Sequence, residues 1–316
     1  MPPAEGTALP VDRRGGQAVA GLDIYLFGVG RIRHQADNSA ADLPPSIRAV
    51  LGYLVLNRHQ SHHRDVLANE FWSEVDESCA RNRLSTRLWR LRRVLEPPGV
   101  IRGSYLLASR QGYVGFNPGS DHWLDVAVFE TAASQLVETS IDLVDRSQVE
   151  EFERISTNCC SDLLEGVDLP WLVIERERLA QLDSAANLRA FEWFVQHEDP
   201  DRAIAAGRRV LKRDPLREDV HRKLIRLFCR SNQRSRAVRQ FEECRTLLRE
   251  ELGVLPLPET VAAAAEIARP ATGIGGHPVE VETAIELIEA AARSLGLVAK
   301  DLDSIVSSMR RLTPRR

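Results

Sequence analysis

The sequence predicts a mainly α-helical protein with a small β component, mixed at its N-terminal end and purely helical beyond. Three observations predict it. Strand-type alternation and helix-type spacing interleave between Leu22 and Phe129, and only helical spacing follows. Within the helical part, Arg202-Ala203-Ile204 recurs as Arg236-Ala237-Val238, an offset that matches the tetratricopeptide period. The stretch "ARNRLSTRLWRLRRVL", Ala80 to Leu95, sets six arginines and no acid on one short segment of a chain whose formal net charge is -3.

The 316 residues are 43% hydrophobic and 28% charged, a globular composition with room for two domains. No apolar run reaches the roughly 18 to 20 residues of a membrane helix. Residues 1–20 are rich in Pro, Gly and Ala and lack the apolar core of a secretory signal, so a disordered leader and a cytoplasmic protein with no membrane contact are expected. Five cysteines with no C-x-x-C pair predict reduced thiols, neither a disulfide framework nor a zinc knuckle.

Each element has its local cause. Leu22, Ile24 and Leu26, then Val29 and Ile32, alternate as strand residues do. "ADNSAADLPP" is turn chemistry. "SIRAVLGYLVLNR" switches to helical spacing through Ile47, Val50, Leu51, Leu54 and Val55. The polar "HQSHH" predicts a loop before a second helix, Arg64 to Trp72, with Val66, Leu67 and Phe71 on its apolar side. Asp76 and Ser78 are candidate N-caps for the arginine helix, and Pro97-Pro98 ends it. "YLLASR" and "GYVGFN" flank Arg110-Gln111-Gly112 as a hairpin. A helix, a turn, a second amphipathic helix and a hairpin make a winged helix-turn-helix. In the repeat, Phe191 falls on Ile225 and Val210 on Cys244. Small Ala203 and Ala237 allow close helix approach, and Asp214-Pro215 marks a handover between hairpins. The predicted organisation is a leader, 1–20; a winged-helix DNA-binding domain, 21–130; a tetratricopeptide-like domain, 131–268; a Gly/Pro linker, 269–280; and an amphipathic helical tail, 281–316.

At 100° per residue, Ala80, Leu84, Leu88, Leu91 and Leu95 share one arc and must pack on a core. The opposite side then carries Asn82, Thr86, Trp89 and Arg93, flanked on one edge by Arg83 and Arg90, with Arg87 nearer the core; of these, Asn82, Arg83, Thr86, Arg87, Arg90 and Arg93 are singled out. Arginine and asparagine read guanine and adenine edges in a major groove, and phosphates supply the counter-charge that the segment lacks. These six are the candidate base- and backbone-contacting residues. Arg81 and Arg92 lie beside the leucine stripe and are expected to pair within the protein. Trp89 either stacks on the hairpin or packs against sugars and thymine methyls. Arg110 and Gln111 at the hairpin tip, and His63 and Arg64 at a helix start, are candidate phosphate contacts. His59, His62 and His63 lack a Cys or carboxylate at metal-site spacing, and Gly273–Gly276 has neither a preceding strand nor a following P-loop lysine. No Ser/His/Asp or paired-carboxylate set presents itself, so no metal, cofactor or catalytic activity is expected.

The segments "LFGVGRIR", "RDVLANEFW", "ARNRLSTRLWRLRRVL" and "RQGYVGFNP" resemble the OmpR-type winged helix of the Streptomyces antibiotic regulatory protein (SARP) family. "CCSDLLEGVDLPWLVIERERLAQL", "RDPLRED" and "EELGVLPLPET" resemble its bacterial transcriptional activator domain. The likeness runs from about Leu22 to Thr260. It implies a transcription activator that binds direct repeats in promoter DNA as side-by-side protomers and recruits RNA polymerase holoenzyme through sigma factor and core subunits. It assigns the recognition helix to Ala80–Leu95 and the wing to Leu106–Phe116. The chain departs from the family at polar His62 and Glu70, at "CCSDLL", and in its tail. The alternative is an adaptor that uses the winged helix as a docking surface and the helical groove for a peptide or a small regulatory ligand. A homodimer is compatible with either.

Overall fold

A computed structural model of the chain describes residues 21–268 apart from 37, 39 and 159–161. The leader, the linker, the tail and the Cys159-Cys160 pair lie outside the described residues. The packing divides the chain into two units, the first running to Asp183 and the second starting at Ser184.

The first unit opens with β1 (Leu22–Tyr25), β2 (Arg31–His34) and β3 (Ala40–Asp42), followed by α1 (Pro45–Leu56), β4 (His62–His63), α2 (Arg64–Trp72) and α3 (Glu77–Leu95). Then come β5 (Leu106–Ala108), β6 (Tyr113–Phe116), β7 (His122–Leu124), α4 (Asp125–Glu138) and α5 (Arg146–Asn158). One sheet has the order β3-β2-β1-β7, with β1 and β7 parallel and the other pairs antiparallel. The second has the order β4-β6-β5 and contains the wing. Two short strands depart from the sequence reading. Ala40–Asp42, inside the expected turn, pairs with β2, and His62–His63, inside the expected loop, pairs with Val114 and Tyr113 of the wing. Neither carries an apolar alternation, so only the partner strand reveals it.

The core of this unit is the stripe the spacing demanded. Ala80, Leu84, Leu88, Leu91 and Leu95 are all buried, together with Ile47, Val50, Leu51 and Leu54 of α1 and Leu67 of α2. Val66, read with Leu67 and Phe71 as the apolar side of α2, is instead exposed. Burying each core leucine or isoleucine is worth about 1.5–3 kcal/mol. Asp125, at the start of α4, is buried and accepts from the backbone N–H groups of Leu26, Phe27 and Val126 at 2.7–3.0 Å. Burial pushes its carboxyl up to about 6. The far side of the same segment is occupied by residues 162–165. Leu164 N–H donates to the Leu26 carbonyl, Gly28 N–H to that of Asp162, and Glu165 N–H to that of Gly28, at 2.7–2.8 Å. Arg176 holds this strap by donating to the carbonyls of Leu163, Leu164 and Val167. Trp171 stands edge-on to Tyr53 and Phe71.

α6 (Pro170–Gln196) begins in the first unit and ends in the second. The second unit continues with α7 (Pro200–Arg213), α8 (Glu218–Arg230), α9 (Arg234–Leu247) and α10 (Pro258–Ala265). α9 reproduces the bounds of α7 one repeat period later, and α8 does the same for the part of α6 from Ser184 onward. The matched positions Phe191 and Ile225, Ala203 and Ala237, and Val210 and Cys244 are all buried. At Gly207 a Cβ would meet the side chains of Leu224 and Phe191 at 3.0 Å, so the helices pack closely there and an added methyl would push those side chains aside by a few tenths of an ångström. His221 bridges the handover. It is buried, its Nε2 donates to the Pro215 carbonyl at 2.9 Å, and its Nδ1 accepts from Gln240 at 2.8 Å.

Candidate nucleic-acid interface

α3 starts where a carboxylate can cap it. Asp76 accepts from the N–H of Cys79 at 3.0 Å and from the Ser78 hydroxyl, which also hold its carboxyl below the usual range. The helix therefore begins at Glu77, as the Asp76 candidate of the sequence reading requires. Its other end is tied to the wing. The Glu96 carboxylate, 2% exposed, accepts from the N–H groups of Gly103, Tyr105 and Leu106 at 2.9–3.0 Å and from Arg92 at 2.8 Å. Arg92 also donates to the Leu106 carbonyl at 2.9 Å. Arg81 bonds Asp65 of α2 at 2.6 Å and Glu77 at 2.5 Å. The two arginines expected to pair within the protein thus do so, one fastening α3 to α2 and the other fastening it to the wing.

The remaining four have no carboxylate partner among the described residues. Arg83 and Arg90 are exposed. Arg87 is half-buried and its Nε donates to the Ser46 hydroxyl at 2.9 Å, which aims it toward the start of α1. The Arg93 guanidinium lies 5.0 Å from the centre of the Trp89 ring. Asn82 and Thr86 are exposed beside them, and the Thr86 hydroxyl donates to the Asn82 carbonyl at 3.0 Å. All six sequence-predicted residues therefore lie on one helix side, five of them exposed and Arg87 at the rim. Trp89 stacks with Arg93 of its own helix, and 58% of it is exposed.

Arg110 and Gln111 are exposed at the hairpin tip, where Gly112 takes a left-handed φ of 85°. His63 is built into the scaffold. Its Nδ1 accepts from the Asp65 N–H at 3.4 Å as the N-cap of α2, and its ring stands edge-on to Tyr113. Arg64, half-buried, follows it as the first residue of α2. Polar His62 is accommodated by neutrality. It stands edge-on to Tyr53, and burial lowers its pKa, so the ring packs there uncharged. Among the described residues no group of three or more His, Cys, Asp or Glu is placed to hold a metal ion, and no helix is long and apolar enough to cross a membrane.

Comparison with known proteins adds four findings. The model of the Bacterial transcriptional activator domain matches residues 124–268. The transcriptional regulatory protein MoaR1 of Mycobacterium bovis is 26% identical over 223 residues, which is 68% of this chain and 69% of that protein. The regulatory protein AfsR of Streptomyces coelicolor is 27% identical over 235 residues, 73% of this chain but 23% of AfsR. Among solved structures, Mycobacterium tuberculosis EmbR, in complex with a low affinity phosphopeptide, superposes with a TM-score of 0.62 over 89% of this chain and 72% of that one. At 22% identity that likeness shows the fold. A winged helix with an arginine face, carried on a chain with a bacterial transcriptional activator domain, defines a transcription regulator. Residues 124–268 carry the match to the bacterial transcriptional activator domain, and the chain is similar to regulatory proteins of the SARP type.

Proposed function

We propose that the chain binds promoter DNA in a sequence-specific manner and activates transcription by recruiting RNA polymerase holoenzyme through sigma factor and core subunits. α3 lies in the major groove, as the second helix of a helix-turn-helix does. The observation that carries this reading is the uncompensated face of α3, with four guanidiniums that have no carboxylate partner among the described residues, on a helix whose leucines are buried. Asn82, Arg83, Thr86, Arg87, Arg90 and Arg93 contact bases and adjacent backbone. Arg110, Gln111, Arg64 and His63 contact flanking phosphates. The winged helix within residues 21–130 supplies the DNA contacts and residues 131–268 the activator function, with protomers side by side on direct repeats.

Selection of bound duplexes from random DNA with the purified chain yields the operator. On that duplex, affinity falls steeply with salt, with a log–log slope of about -0.9 per phosphate neutralised. Arg90→Ala weakens binding by about 1–3 kcal/mol and relaxes one base position, whereas Arg110→Ala weakens all sequences alike and reduces the salt slope by about 1. No duplex bound at low salt would remove the reading.

A further inference from the structure

α3 carries a feature that charge does not explain. Trp89 lies on the outermost arc with Asn82, Thr86 and Arg93, and 58% of it faces water. It is the most exposed aromatic side chain among the described residues of the first unit. Arg93 stacks on it at 5.0 Å, which fixes the ring against its own helix. One turn earlier, Thr86 has turned its hydroxyl back to the Asn82 carbonyl, so its polar atom is spent within the helix and its methyl is left for other contacts. The result is a short apolar strip, methyl and indole, flanked by the guanidiniums of Arg90 and Arg93. An apolar strip bounded by cations without carboxylates fits a partner that is anionic at its edges and apolar at its centre. A duplex major groove has that character at a thymine, whose C5-methyl is the apolar group displayed between two phosphate backbones.

Resting on the DNA-binding reading, we propose that Trp89 is a specificity-determining residue. Its indole, held by Arg93 and continued by the Thr86 methyl, packs on thymine C5-methyl groups in the operator. The arginines then supply affinity and guanine readout, and the tryptophan supplies a preference for T·A pairs.

Replacing thymine by uracil deletes the methyl and nothing else. On the selected duplex, each thymine is replaced singly by uracil and the Kd is measured for the wild-type chain, Trp89→Ala and Trp89→Phe. The wild type should lose about fourfold at one or two positions, the value of one buried methyl. Trp89→Ala should bind more weakly overall and show no uracil penalty at those positions. Trp89→Phe should retain part of both effects. Because the side chain is exposed, the alanine variant should keep the wild-type urea midpoint, which separates lost contact from lost fold. Equal uracil penalties in wild type and Trp89→Ala, or none at any position, overturn the inference while leaving duplex binding and its dependence on Arg90 intact. Failure of the wild type to bind any duplex overturns the DNA-binding reading itself.

Discussion

Replacing Glu96 with alanine should detach the wing from α3. The carboxylate is 2% exposed and holds three backbone N–H groups and one arginine. Each buried donor left without an acceptor costs about 1–3 kcal/mol, and removing one partner of a buried ion pair costs about 3–5 kcal/mol. The deletions are not additive, because Arg92 keeps the Leu106 carbonyl and the 103–106 backbone gains water when it loosens. An overall loss of about 3–5 kcal/mol is expected, a roughly 10²- to 10⁴-fold loss of local protection. Amide hydrogen exchange at Gly103, Tyr105 and Leu106 measures it directly, with the urea midpoint as a second reading. Glu96→Gln keeps a carbonyl for the three donors and loses only the charge, so it should cost less. The sign with pH follows from the carboxyl itself. Burial pushes its pKa up, but the Leu106, Tyr105 and Gly103 N–H groups and Arg92 outweigh burial and hold it below the usual range. The stabilisation by the ionised form is therefore complete above the ordinary carboxylate pKa and lost as pH falls through the lowered one. The gap between wild type and Glu96→Gln should close on acidification below about pH 4.5. A cost below about 1 kcal/mol for alanine, or a gap that is constant from pH 7 to pH 3, would refute the clamp.

Other outcomes follow from the same contacts. Arg92→Ala should lower the urea midpoint markedly, whereas Arg81→Ala, whose partners are exposed, should leave it unchanged. Asp125 keeps its proton in the folded chain up to about pH 6, while the unfolded chain releases it near 3.8. Its contribution is thus greatest at low pH, and the stability of wild type relative to Asp125→Asn should fall by about 2 kcal/mol between pH 4 and pH 6, read from urea titrations. Gly207→Ala drives a methyl to 3.0 Å from Leu224 and Phe191 and should cost about 1–3 kcal/mol in thermal unfolding of the helical repeats.

The residues that proved legible were those whose role is set by period. The leucine stripe of α3 fixed which side is buried, and with it the exposure of Asn82, Arg83, Thr86, Arg90 and Arg93. The repeat register placed α7 and α9 and the buried pairs between them. Contacts between distant residues were not legible. Nothing local marks Glu96 as a wing clamp, since its three donors come from a turn beyond Pro97-Pro98. Nothing local marks Asp125 either, whose N–H partners at Leu26 and Phe27 lie 98–99 residues away. Ser46, which aims Arg87, belongs to the first turn of α1 and is joined to α3 only by the fold. The signal that could have found Asp125 was chemical: a carboxylate between Leu124 and Val126, at a helix start, has to find donors if it is buried.

The strap at residues 162–165 limits how this regulator can be divided. The Leu26–Gly28 edge finishes its hydrogen bonding only with Asp162, Leu164 and Glu165, and Trp171 seals the aromatic side of the helix-turn-helix. A fragment cut at residue 130 would leave an open edge and an uncovered Tyr53. Transplanting this winged helix onto another protein therefore means taking the chain to about residue 183, which carries part of the activator domain along as a keystone.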